Sequence, residues 1–309
     1  MRFRKPSAKL ARQHRMASMV VALPAIAAWQ WQHGLVWWLY AIELFLTLGV
    51  GVIHHNHTHL RMWRGRGSRW ANRATDYGLT LLQGHPTFVF WPAHVANHHR
   101  YKHSERELAR TYRFGGDTNH LWGYLVHPLQ AAWVLYPLFI SWLRRLRLRW
   151  PGAFRYCMGQ YVLWLSSWAA LLALDWQKAL LFVIIPQLHG LHWLLATNYL
   201  QHAHADGRRQ APAGSAPRDT ERSMLNYARN FEGWVNPLLF NIGLHTAHHE
   251  CPHAHWSELT ALHDRTYRSR VHPALNEGGL LPYMARVFIG GLLWRPFRSQ
   301  SLMPPMEKK

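Results

Sequence analysis

Cysteine is almost missing from this chain. The two present, Cys157 and Cys251, lie far apart, which excludes a disulfide framework, a cysteine-based zinc ribbon and a cysteine-ligated iron–sulfur cluster. Charge is also scarce, at 16% of residues, against roughly 25% in soluble domains. Acids are the scarcest of all, with 15 Asp and Glu against 35 Lys and Arg, a formal net charge of +20. No recognised nucleic-acid-binding motif accompanies the positive charge, so the sequence reads against a nucleic-acid partner. The first apolar run leads straight into a second with no small-residue cleavage site between them, which reads against a cleavable signal peptide.

What the chain has instead is apolar and aromatic surface, and histidine. Hydrophobic residues make up 49%, with 18 Trp and 24 His in 309 residues. Four weakly charged runs, 16–32, 35–53, 158–174 and 179–197, approach the ~20 residues that cross a hydrocarbon core as a helix. The first two are separated only by His33-Gly34 and the last two by Asp175 to Lys178, so each pair reads as a tight helical hairpin. Basic clusters at Arg2–Arg15, Arg61–Arg73, Arg144–Arg149, Arg208–Arg222 and Arg265–Arg270 border apolar runs, as in a membrane protein marking its cytoplasmic side. Two further apolar segments, 77–93 and 122–143, keep every basic cluster on one side if they are re-entrant or interfacial. The expectation is one all-α integral membrane domain over residues 1–309. It has four spans in two hairpins, interfacial helices, and a cytoplasmic histidine-rich cap from 54–157 and 198–309, in a cytoplasmic membrane of bacterial type.

Fifteen of the 24 His fall in four short segments, 54–59, 94–103, 202–204 and 245–255, all on the cytoplasmic side of that topology. The first contains HxxxH at His55 and His59, the second is HxxxHH at His94, His98 and His99, and the fourth is HxxHH at His245, His248 and His249. Residues four apart share a helix face, so both imidazoles of HxxxH can reach one metal. An adjacent pair can present its rings to different metals, with the His three or four back sharing one of them. His54, His57, His103, His204, His253 and His255 are close spares, and His54 with His57 could replace part of the first pair.

These segments, with His55 to His59, Trp91 to His99, Asn198 to His202 and Asn241 to His249, resemble the membrane-bound histidine-box diiron superfamily over roughly residues 35–265. That superfamily takes in fatty-acid desaturases, membrane fatty-acid hydroxylases, alkane monooxygenases and carotenoid ketolases. The resemblance implies two iron ions with dioxygen as co-substrate, held by His55, His59, His94, His98, His99, His202, His245, His248 and His249. It further implies that Asn198, four residues before His202, holds a water near one metal. Desaturation of an acyl chain on a lipid, coenzyme A or acyl carrier protein is the activity the last box most resembles, with a hydroxylase or monooxygenase as the alternative. Gln201 stands where the alkane monooxygenases usually carry Glu. Trp63, Trp91, Trp193 and Trp234 lie near the boxes and are candidates to line a slot for the chain.

Imidazole suits iron, and neutral ligands leave the metal most of its positive charge. Asp76, Asp117, Asp206, Glu232, Glu250 and Glu258 lie close in sequence to the boxes and are candidates to orient the rings through their second nitrogens. A metallo-hydrolase is a weaker reading, because His55-Asn56-His57-Thr58 is not followed by the Asp that HxHxDH requires; a membrane metal carrier is the non-enzymatic one. No HPGG, GxGxxG or four-cysteine ferredoxin pattern occurs. Electrons would therefore come from a separate ferredoxin or cytochrome b5-type donor, which the cytoplasmic Arg clusters would attract.

Overall fold

The computed structural model describes residues 6–208 and 224–303. Most of the basic side chains of the clusters at Arg2–Arg15 and Arg208–Arg222 lie outside them. The described chain is mostly helical, and its one sheet is a two-residue parallel pair, β1 Asn230–Phe231 with β2 Asn276–Glu277. It gathers into two compact units, residues 1–88 with 143–194, and residues 89–142 with 195–309.

The first unit opens with α1 (Pro6–His33) and α2 (Trp37–His59). Gly34, at φ 92°, supplies the left-handed turn between them. The expected spans 16–32 and 35–53 lie on these two helices. Gln30 staples the hairpin. Its amide donates to Glu43 Oε2 at 2.6 Å and its oxygen accepts the Val36 N–H at 3.2 Å, so the buried Glu43 side chain is hydrogen-bonded. α3 (Ser68–Gln83) follows, ended at both sides by left-handed glycines, Gly67 and Gly84.

α6 (Pro151–Ala179) continues through a π segment (Leu180–Ile184) into α7 (Ile185–His202), whose last turns belong to the second unit. The backbone leaves helical geometry at Asp175 (φ −161°, ψ 99°), and its carboxylate accepts the Lys178 N–H at 3.1 Å. That break falls at the turn the sequence suggested between the third and fourth apolar runs. Among the described residues, two helical stretches are long and apolar enough to cross a membrane, Trp37–His59 and the 52-residue run Pro151–His202. Between α3 and α6, Asp76 accepts from Arg61 at 2.8 and 2.9 Å and from the Tyr156 hydroxyl at 2.5 Å.

In the second unit, after the single turn α4 (His99–Tyr101), α5 (Leu121–Arg149) is a 29-residue helix that ends in the first unit and keeps both Pro128 and Pro137 within it. It buries Tyr124, His127, Ala131 and Leu135 on one side. The opposite side exposes Trp122, Leu125, Leu129, Trp133, Tyr136 and Ile140, an apolar face suited to lipid. The core of this unit lies around the end of α7. Arg229, fully buried, donates to the Leu200 carbonyl at 2.9 Å and stacks on Tyr283. Asn230 on β1 holds the short helix His245–Glu250 by accepting the Thr246 N–H at 3.0 Å.

Candidate metal centre

In the first unit, His55 and His59 sit at the end of α2 with ring centroids 5.0 Å apart, as four-residue spacing requires. The spare residues of that segment are engaged elsewhere. His54 meets Gln83 Oε1 at 2.6 Å and the Thr87 carbonyl at 3.1 Å, while His57 accepts the Met62 N–H and faces Asp76 at 3.5 Å.

The second unit brings seven proposed ligands into two groups. His94, His99 and His248 form one, with His99 Nε2 3.1 Å from His94 Nε2 and 3.0 Å from His248 Nε2. His98, His202, His245 and His249 form the other, all four buried, with ligand nitrogens within 4.8 Å of one another. At its centre, His245 Nε2 lies 3.0 Å from both His202 Nε2 and His249 Nε2.

The pairing corrects one expectation. His99 is paired with His94, five residues back, rather than with a residue three or four back. The segment Trp91–His98 is a π-helix, and the His99 N–H bonds the His94 carbonyl across five residues, so the ring five positions on returns to the same face. His98, four after His94, turns to the other group. In the last segment the expected division holds: His249 shares a group with His245 and His248 joins the other.

Hydrogen bonding fixes the tautomers. His202 Nδ1 lies 2.6 Å from the Tyr227 carbonyl, which only accepts, so Nδ1 carries the proton and the neutral ring's Nε2 is left as a lone pair. His98 Nδ1 donates to Glu107 Oε1 at 2.7 Å. Burial, reinforced by the neighbouring rings, holds His249 well below the ordinary histidine pKa, in the neutral form. His245 Nε2 carries at most one hydrogen and faces two nitrogens; His99 Nε2 is in the same position. At each of these two nitrogens one hydrogen at most serves two nitrogen neighbours, an arrangement that a cation among the rings would stabilise. The donor set fits a metal: imidazoles, Nε2 inward, with Nδ1 of two rings anchored behind.

Glu107 was not among the acids singled out from the sequence, although it and Glu105 are the only ones between Asp76 and Asp117. Burial works to raise its pKa, but His98 and two hydrogen bonds outweigh it, and the carboxyl lies below its ordinary value. Of the acids singled out, Asp76 bonds Arg61 and Tyr156, Glu232 pairs with His263 and Arg268, and Asp117 accepts from the His204 N–H and Ser301. Asp206 accepts the Arg208 N–H. Glu250 accepts from Lys102 at 2.5 Å and from the Tyr227 hydroxyl at 2.7 Å, and Tyr227 stacks edge-on against His249.

Asn198, one turn before His202, donates both amide hydrogens, to the Ala109 carbonyl at 2.7 Å and to His127 Nε2 at 3.2 Å, which leaves its oxygen as the acceptor for further contacts. Of the spare histidines, His103 stacks on His202 at 5.1 Å, His204 bonds Ser299, and His255 bonds Ser257. Trp63, Trp91 and Trp234 are exposed, and Trp193 is half-buried beside His189.

The two groups of inward-facing imidazoles on this helical chain could hold metal ions. Residues 29–276 match the family model described as fatty acid desaturase, and the chain belongs to that family, one of oxidoreductases. No curated protein and no solved structure matches the chain significantly.

Proposed function

We propose that the chain is a dioxygen-dependent acyl-chain desaturase whose two irons are held by His55, His59, His94, His98, His99, His202, His245, His248 and His249. The observation that carries this reading is the convergence of Nε2 atoms in both groups of the second unit, in a chain of the desaturase family. The assignment of His55 and His59 to the same centre rests on the family pattern and on their pairing at the end of α2. Four spans in two hairpins, with the His groups facing the cytoplasm, complete the proposal; the apolar face of α5 then lies against the bilayer.

Bound iron supplies the oxidising power to take two hydrogens from neighbouring carbons of an unactivated chain, with dioxygen reduced to water by two donor electrons and two protons. The chain's own residues orient and dry that centre. Glu107 and the Tyr227 carbonyl hold two rings through Nδ1–H, and burial of His98, His202, His245 and His249 excludes bulk water. Asn198 presents its carbonyl oxygen one turn from His202, where it can accept from a water beside the metal. The substrate is an acyl chain entering from the bilayer or on a carrier, and reducing equivalents arrive on a separate ferredoxin or cytochrome b5-type protein.

Gln201 weighs against the alkane-monooxygenase alternative. Its amide donates to the Ile242 carbonyl at 3.1 Å, a contact in which a Glu would set carboxylate against carbonyl. Metal analysis of the purified protein, coupled to dioxygen uptake on reduction, tests the proposal. Two irons and uptake are expected. Stoichiometric zinc with hydrolytic turnover would mean a hydrolase, and reversible metal binding with neither activity a carrier.

A further inference from the structure

Glu107 is a fully buried carboxylate on the loop that follows the His98–His99 pair. Each oxygen accepts one N–H, Oε1 from His98 Nδ1 at 2.7 Å and Oε2 from the His103 backbone at 2.5 Å. The loop that carries it is anchored at three points. The Leu108 N–H bonds Asn97 Oδ1 at 2.9 Å, Asn198 holds the Ala109 carbonyl at 2.7 Å, and Arg110 donates to the Glu107 carbonyl at 3.0 Å. With a donor on each oxygen, the group sits as an anion behind one ring of the buried four-histidine group. The contrast within that group is with His202, whose Nδ1 is backed by a neutral carbonyl.

We propose that Glu107 is a positioning residue that sets the redox character of one metal position: it makes His98 the strongest electron donor of the His98, His202, His245 and His249 set, so that this position favours the ferric ion. A carboxylate behind a ligating imidazole raises the ring's basicity, and a fixed negative charge in a dry site favours the more highly charged metal. The step it governs is the one-electron reduction of ferric to ferrous ion by the donor protein, which the anion shifts toward a more negative potential. The inference rests on the proposed iron occupancy of that group.

The test compares wild type with Glu107→Gln and Glu107→Asp, each purified with ⁵⁷Fe and titrated electrochemically, the two ions being followed by Mössbauer spectroscopy. In Glu107→Gln, one iron of the two should move to a more positive potential and be lost to a chelator with affinity weakened about 10–100-fold, while the other keeps its wild-type behaviour. Glu107→Asp keeps the charge at shorter reach and should lie between the two. If the Gln variant fails to take up iron, the Asp variant decides: recovered loading with a potential near wild type supports the role, and loading no better than Gln overturns it. Unchanged potentials and chelator resistance in Glu107→Gln with both irons bound would overturn the inference and leave the metal reading standing. A wild-type chain that takes up no iron would overturn the metal reading, and this inference with it.

Discussion

Replacing His245 by Ala removes the ring on which the buried group converges. Its Nε2 is 3.0 Å from two other ring nitrogens, so one of four donors is lost from the centre of the set. Four-ligand metal sites bind with roughly 10–16 kcal/mol of apparent free energy. An even share is about 2.5–4 kcal/mol per ligand, or roughly two to three powers of ten in affinity at 1.4 kcal/mol per tenfold. The other second-unit group, His94, His99 and His248, does not use this ring. The expected result is therefore selective: iron per chain falls from two toward one, and the remaining iron resists chelator as in wild type. The assay is metal analysis after graded chelator exposure, on protein shown by circular dichroism to keep its helical content. Two irons held with unchanged resistance would refute the argument, because the convergence of Nε2 atoms at His245 would then have nothing to do with metal. Loss of both irons in a folded chain would refute the independence of the groups.

Three further outcomes follow from packing and burial. Asp76→Ala strips Tyr156 and Arg61 of a shared acceptor and should cost about 1–3 kcal/mol in detergent unfolding, whereas Arg61→Ala, at a half-exposed residue, should cost less. Gly84→Ala places a side chain at φ 64° and a Cβ against the Gln187 side chain, so at least about 1–2 kcal/mol is lost; a second change, Gln187→Ala, should relieve the contact and leave the backbone strain, as read from midpoints of the double variant. Burial lowers the pKa of His85 to about 4, while the unfolded ring titrates near its ordinary 6.5. The unfolded state therefore takes up the proton first, and stability falls as pH drops from 6.5 toward 4, by up to about 3 kcal/mol. His85→Phe should flatten that part of the profile, and an unchanged slope would show that His85 is not buried in the neutral form.

The helices that end in histidine were legible because length, apolarity and the four-residue His spacing all report one local geometry. His55 with His59 and His245 with His249 follow from that spacing alone. The break at Asp175 was legible as well, from polar residues between two apolar runs. The partner of His99 was not. The π-helix from Trp91 is a choice of hydrogen-bond register that composition does not announce, and it moves the shared face by one residue. Glu107 escaped notice for a different reason. It reaches His98 through a folded loop held by Asn97 and Asn198, and such a return cannot be read from distance along the chain. The one usable signal was scarcity, since a chain so poor in acids places two of them within ten residues of a histidine pair. Nor was the division of labour inside the first box legible, where His54 and His57 look like ligands but bond Gln83, Thr87 and Met62.

The central claim, that these histidines serve acyl-chain desaturation, is tested most directly by mass spectrometry of the lipids of cells expressing the chain beside cells expressing His248→Ala. The account predicts acyl chains lighter by two hydrogens with the wild-type chain and none with the variant, both proteins being present in the membrane. Chains heavier by one oxygen atom would contradict it in favour of hydroxylation, and product formed equally by the variant would contradict the metal centre itself.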